Sequence, residues 1–303
     1  MLSRRNVLTL LVAAASWPAA CGLAAAQTPD DRLPVVATFS IVADLVRQVA
    51  GERIALTTLV GPDGDAHVYS PAPGDSRRLA QAKLIVSNGL GLEGWMARLI
   101  KSSGTKAAVV EATKGVKARK SDDAHAHGGF DPHAWQDVSN AKVYVANIRN
   151  ALASADPAGR EVYEANATAY LDALDALDRE VRAAVAAIPP ERRRIITTHD
   201  AFGYLKAAYG LDFVAPQGVS TEAEASAKDV ARIIRQIKAE TIPAVFLENV
   251  SDPRLMDRIA RETGARTGPK LYSDALSGPD GPAGTYIAMV RHNIRAFSEA
   301  LSR

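Results

Sequence analysis

Three histidines and one aspartate, His67, His133, His199 and Asp274, stand where a cation could be gripped. A neutral imidazole offers a nitrogen lone pair and a carboxylate offers an oxygen. Three of the first with one of the second make a tetrahedral shell suited to Zn²⁺. Manganese and magnesium favour more oxygen. The gaps between the four are long, so no compact metal motif is present, and each histidine alone reads more readily as hydrogen-bonded structure. What joins them is position. His67 closes the turn-rich loop Gly61-Pro62-Asp63-Gly64-Asp65-Ala66-His67. His133 follows Asp131-Pro132, where the proline fixes its own φ and biases Asp131 toward an extended conformation at the mouth of a helix. His199 and Asp274 each follow a strand directly. Ligands of open parallel sheets gather at the carboxyl ends of the strands. All four are therefore expected on one edge of their lobes, two per lobe, facing a common cleft. A metal site and another use of a polar cleft both remain open on this pattern.

The elements that must position them alternate between apolar runs and helical periods, which argues for parallel βα units. Strands are expected at Leu33–Ser40, Ala55–Val60, Lys83–Asn88 and Ala107–Ala112, with helices at 41–50, 75–82, 93–103 and 139–155, the last capped by Ser139. The rhythm then breaks. Asp156 and Pro157 suit a helix start, and Tyr163, Ala167, Tyr170, Leu174, Leu177, Val181, Ala184 and Ile188 form one apolar stripe that ends at Pro189-Pro190. Such a helix would run roughly 45–50 Å at 1.5 Å per residue. Alternation resumes with strands at 193–198, 212–216, 244–248 and 270–273, interleaved with helices at 201–209, 226–240, 253–263 and 285–302. The fold class expected is α/β: two βα lobes, each with a mostly parallel sheet, joined by one long rigid helix. The divisions are 1–26, an export signal; 27–155, an N-terminal lobe; 156–190, the linker helix; and 191–303, a C-terminal lobe.

The leader combines Arg4-Arg5, an apolar run from Leu8 to Ala15 and the small residues Ala24-Ala25-Ala26. That pattern reads as a signal peptide, with the paired arginines suggesting the twin-arginine route to the periplasm. Its loss removes two of the 36 basic residues and no acid, so the rest balances the 34 acidic residues. No basic run marks a nucleic-acid site. Cys21 is the only cysteine. It is either removed with the leader or a lipid attachment point. Ala19-Ala20 suits the second, but Pro18 stands where leucine is preferred, so lipid anchoring is the weaker expectation.

The segments Gly61–Tyr69, Asp131-Pro132-His133-Ala134-Trp135, Thr198–Tyr204 and Tyr272-Ser273-Asp274 resemble the zinc- and manganese-binding solute-binding proteins of ABC transporters, the cluster A-I family. The likeness covers nearly the whole chain after the leader. It implies metal in the cleft between two lobes, ligated by His67, His133, His199 and Asp274. It also implies delivery to the membrane permease of an importer. Manganese-type members usually carry a carboxylate where this chain has His199. The set is similar to the three-histidine-plus-aspartate zinc branch, the AztC-like proteins, so Zn²⁺ is the expected cargo and Mn²⁺ the lesser one. The chain is expected to act as a monomer, with a periplasmic zinc donor as a further partner.

Where many zinc members carry a long histidine-rich insertion, this chain has only the loop 121–129. His125 and His127 there could catch zinc loosely, or be incidental residues of a solvated loop. His292 reads as packing or surface. Asp65, Asp200 and Glu248 could orient histidine rings or serve turns, and Glu222 and Glu224 read as loop charges. An exported zinc hydrolase is the rival from another class, since three histidines and a water also form a catalytic shell. No HExxH or nucleophile-elbow pattern supports it, and the expectation is a receptor rather than an enzyme. A surface adhesin has export alone in its favour. Zinc affinity should fall with pH below the histidine range.

Overall fold

Apolar β-branched runs buried on both faces need helices above and below them, and both sheets of this chain are built that way. The computed structural model describes residues 32–301 apart from 122, 124 and 243; the leader and Cys21 lie outside the described residues. The first lobe runs β1 (Leu33–Phe39), α1 (Ser40–Ala50), β2 (Ile54–Val60), α2 (Pro73–Gln81), β3 (Leu84–Ser87), α3 (Met96–Ser103), β4 (Ala108–Glu111) and α4 (Val138–Ala155). α5 (Arg160–Ala186) follows. The second lobe runs β5 (Arg194–Ile196), α6 (Gly203–Tyr209), β6 (Asp212–Val214), α7 (Ala227–Glu240), β7 (Ala244–Val245), α8 (Pro253–Thr263), β8 (Arg266–Thr267) and α9 (Tyr286–Leu301).

Both sheets are parallel, in the orders β2-β1-β3-β4 and β6-β5-β7-β8. The two lobes thus repeat one topology. In each, the chain steps to one side of its first strand and then crosses to the other, which opens a crevice at the carboxyl ends of the central strands. The expected α/β class with two parallel lobes and a helical connection is the class observed.

Local differences have local causes. α4 begins at Val138, and its cap is Asp137, whose Oδ1 accepts the Ser139 N–H at 2.8 Å; Ser139 itself lies inside the helix. The long helix is shorter than its stripe suggests, with 27 residues spanning roughly 40 Å. Pro157–Gly159 form a 3₁₀ turn instead of its first turn. Asp156 does not cap it by side chain, because its Oδ2 takes Arg53 Nη2 at 2.9 Å and Tyr163 Oη at 2.6 Å. The strands of the second lobe are also shorter than expected. After Ile196 the N–H groups of Thr198 and His199 turn to the Glu248 carboxylate, at 2.8 and 3.0 Å, and leave the ladder. The expected strand at 270–273 contributes only a bridge between Leu271 and Glu248, and the fourth strand is β8.

α5 buries Tyr163, Ala167, Tyr170, Leu174, Leu177 and Val181, with Val185 rather than Ala184 at its end. It packs against α1 and α4 of one lobe and α6 and α9 of the other. One hydrophobic cluster therefore runs from the first sheet through α5 to Phe202, Phe213 and Phe297, and a smaller one covers the opposite face of the second sheet. Leu177 is fully buried at this junction, whereas Val162 on the same helix is 42% exposed. Leu177→Ala should lower unfolding free energy by about 2–5 kcal/mol and Val162→Ala by less than about 0.5 kcal/mol, measured by denaturant titration. Equal losses would show that the stripe does not bind the lobes together.

Candidate metal centre

Two side chains fix the histidine end of the loop after β2. Asp65 Oδ1 accepts the backbone N–H of His67 at 2.8 Å, and Trp95 Nε1 donates to the Ala66 carbonyl at 2.8 Å. This turn leaves the His67 ring facing inward, nearly buried. His133 is held more firmly. Asp131 Oδ1 accepts both its backbone N–H, at 3.0 Å, and its ring Nδ1–H, at 2.9 Å. A carboxylate at Nδ1 keeps a proton there and points the Nε2 lone pair away from it. The turn is braced by Asn88, which donates from Nδ2 to the Pro132 carbonyl at 2.9 Å and accepts from Tyr144 Oη at 2.6 Å.

His199 leaves β5 with its N–H on Glu248, and its Nδ1 lies 2.6 Å from Glu248 Oε2, out of line for a straight hydrogen bond. Asp274 follows the Leu271 bridge. His133, His199, Glu248 and Asp274 are all completely shielded from solvent.

These elements bring the four ring and carboxyl groups to one point. One donor atom from each of His67, His133, His199 and Asp274 lies within 4.8 Å of all the others. The two Nε2 atoms of His67 and His133 are 3.2 Å apart. Asp274 Oδ2 is 3.3 Å from His67 Nε2 and 3.0 Å from His199 Nε2, and Oδ1 is 3.5 Å from His133 Nε2. A tetrahedron with bonds of about 2.0–2.1 Å has edges of about 3.3–3.4 Å, so these separations match donor atoms around one small ion. Neither Asp274 oxygen accepts an in-line hydrogen bond among the described residues. A buried carboxylate so placed requires a cation.

The charge balance has the same sense. Asp131, Glu248 and Asp274 are buried carboxylates, and Arg119, with Nε 3.5 Å from Asp131 Oδ2, is the cation that faces them. With the carboxyls ionised and the imidazoles neutral, this group is short by two positive charges. Protons respond to that deficit. Burial alone would lower the His133 pKa, but Asp274 and Asp131 outweigh it and hold it at about 9. Burial also opposes charge on His199, yet Glu248 and Asp274 raise it well above the ordinary histidine value. Burial raises Asp274 in turn, and His199 and His133 pull it well below the usual carboxylate range.

The other residues singled out in the sequence fall elsewhere. His125 and His127 are exposed, and His127 Nε2 lies 2.9 Å from Glu222 Oε1 across the cleft mouth. His292 donates from Nε2 to the Lys270 carbonyl at 2.8 Å. Asp65 serves its loop and accepts Thr221 Oγ1 at 2.7 Å from the other lobe. Asp200 is exposed, its N–H on the Gly218 carbonyl at 3.0 Å. Glu248 does meet a histidine ring. The carboxylate that sequence reasoning missed is Asp131. Its signal was present, since an aspartate accepts readily from the N–H two residues ahead.

Two parallel α/β lobes on a single helical connection, with a buried donor cluster between them, define a class: solute-binding receptors whose ligand is enclosed between lobes. Residues 35–300 match the family model described as ZnuA, zinc-uptake complex component A, periplasmic. Among similar proteins is the manganese-binding lipoprotein MntA of Halalkalibacterium halodurans, 34% identical over 94% of each chain. The iron-binding protein YfeA of Yersinia pestis is 33% identical over 99% of this chain and 97% of its own. The structure of the periplasmic zinc binding protein TroA from Treponema pallidum superposes with a TM-score of 0.85 at 33% identity, covering 90% of this chain and all of TroA. The chain belongs to this family of metal-binding substrate receptors of ABC transporters.

The His133 shift has a consequence for stability. A histidine raised from an ordinary value near 6.5 to about 9 stabilises the fold fully below pH 6.5, and that contribution is lost as pH rises through 9. Chelator-stripped protein should therefore melt at progressively lower temperature across that window, and Asp131→Asn should flatten the decline. A wild-type profile that is level from pH 6.5 to 9 would contradict the assignment.

Proposed function

We propose that this chain receives Zn²⁺ through the Nε2 atoms of His67, His133 and His199 and the carboxylate of Asp274, and delivers it to the permease of an importer. The observation that carries this reading is the enclosed donor set: three imidazole nitrogens and a carboxylate at separations suited to a tetrahedral ion, in a pocket two positive charges short. Three nitrogens favour zinc over manganese. In this reading residues 27–155 and 191–303 are the two lobes that enclose the ion and 156–190 is the linker. The four donors leave no coordination position for an activated water, which separates a receptor from a hydrolase.

Manganese is the second reading, and two observations favour it. MntA, a similar protein, is named for manganese binding. Both oxygens of Asp274 face imidazole nitrogens, so the set can also supply a fifth donor. Protein stripped of metal and offered equimolar zinc and manganese should retain zinc in at least about tenfold excess, following the intrinsic affinity order. His199→Glu should narrow that ratio by adding oxygen. Metal analysis decides between them, and a wild type that retains manganese ends the zinc reading.

The leader supports export, and the name lipoprotein carried by MntA favours retention of Cys21 as an anchor over its removal. The processed chain would then begin at Cys21 rather than after Ala26. Mass spectrometry of the N-terminal peptide from membrane-bound protein should find an acylated Cys21. A soluble chain beginning at Gln27 would return the leader to an ordinary signal peptide.

A further inference from the structure

The segment that carries Asp274 belongs to the second lobe by sequence but not by its hydrogen bonds. Up to Tyr272 its partners lie in that lobe. Leu271 donates to the Leu247 carbonyl at 2.9 Å, and the Asn293 amide exchanges two hydrogen bonds with the Tyr272 backbone, at 3.0 and 2.7 Å. From Ser273 onward the partners change. The Ser273 carbonyl accepts from Trp135 Nε1 and from Gln136 Nε2, both at 2.9 Å. Leu276 gives its N–H to Ser40 Oγ at 2.9 Å and accepts the Asp63 N–H at 2.9 Å. The Tyr286 N–H reaches Asp44 Oδ2 at 2.8 Å, and Tyr286 Oη donates to the Trp135 carbonyl at 2.7 Å. Ser40, Asp44, Asp63, Trp135 and Gln136 all belong to the first lobe. Asn249 of the second lobe makes a longer contact with the Ala275 carbonyl, 3.3 Å, and the same amide binds Asp63 at 2.9 Å.

We propose that Trp135 and Gln136 are positioning residues for Asp274, acting through the Ser273 carbonyl, and that the first lobe thereby carries three of the four donors. This rests on the reading of the site as a metal receptor. Two buried donors on one carbonyl fix the peptide that leads into Asp274, and the same turn of chain carries His133 two residues earlier. His67, His133 and Asp274 then form a half-site whose geometry does not depend on lobe closure. His199, backed by Glu248, is the donor that the second lobe supplies. An ion is gripped first by the three and enclosed by the fourth, and separation of the lobes removes His199 before the others. The two-per-lobe division expected from chain order gives way to three and one.

The test uses the full chain loaded with Co²⁺, whose visible absorption is intense in four-coordinate sites and weak in sites of higher coordination. Gln136→Leu keeps bulk and deletes one donor to Ser273; Trp135→Phe deletes the other and is the alternative should the first variant fail to fold. Either should weaken zinc binding by about tenfold or more, as loss of a group orienting a ligand does, and should alter the Co²⁺ spectrum. The melting temperature of stripped Gln136→Leu should stay close to wild type, which a merely structural role would not permit. His199→Ala should still bind one Co²⁺, more weakly and with a changed spectrum, whereas Asp274→Ala should lose it. Wild-type affinity and spectrum in both donor variants, or loss of binding in His199→Ala equal to that in Asp274→Ala, would overturn the proposal. A wild type that takes up no divalent cation would instead end the functional reading itself.

Discussion

Buried negative charge is the constraint around which this molecule is arranged. Asp131, Glu248 and Asp274 are withdrawn from water and converge on three imidazoles, with Arg119 as the one cation paired with them among the described residues. Such an arrangement costs several kcal/mol per ion unless positive charge enters with it. The framework accepts the cost in two ways. Asp131 is engaged by the His133 N–H and ring Nδ1, and Glu248 by the Thr198 and His199 N–H groups and the His199 Nδ1, so their charge is spread over donors that the fold supplies. Asp274 is left without such donors, its two oxygens turned to ring nitrogens. A protonated imidazole or a dication satisfies it, and the two compete for the same place.

The lobes are organised by that need. Parallel strands of equal topology put their carboxyl ends at one crevice, and the site sits where loops leave them. The second sheet gives up ladder hydrogen bonds to do so, since the N–H groups of Thr198 and His199 serve Glu248. The early end of β5 is thus a result of the site and not of weak apolar patterning. α5 compensates by carrying one hydrophobic cluster across both lobes. The result is a frame stiff along the linker side and joined at the cleft by individual polar contacts such as Asp65 with Thr221.

Much of this was legible in residue order. Alternation of apolar runs and helical periods marked nearly every element, because the central strands β1, β3, β5 and β7 are almost wholly buried and each helix buries one face. The stripe from Tyr163 to Val181 marked the connecting helix, and Pro189-Pro190 its end. The turn residues before His67 and the Asp-Pro before His133 marked the two loops. Most errors fell at ends of elements, where a side chain competes with the backbone ladder: Asp137 in place of Ser139, Asp156 drawn to Arg53, and Glu248 ending β5. One element was misplaced outright, since the fourth strand of the second sheet is Arg266–Thr267 and not 270–273.

The sequence by itself determined most of the element types, the parallel two-lobed class and which four side chains could meet, because periodicity and turn chemistry act over a few residues. Tertiary structure decided how they meet. The carboxylate behind His133, the orphaned oxygens of Asp274 and the transfer of its loop to the first lobe all depend on contacts between distant segments, as when Ser273 meets Trp135 and Gln136. No local pattern encodes such a pairing, since a backbone carbonyl carries no residue identity and its partner is chosen only when the lobes are packed.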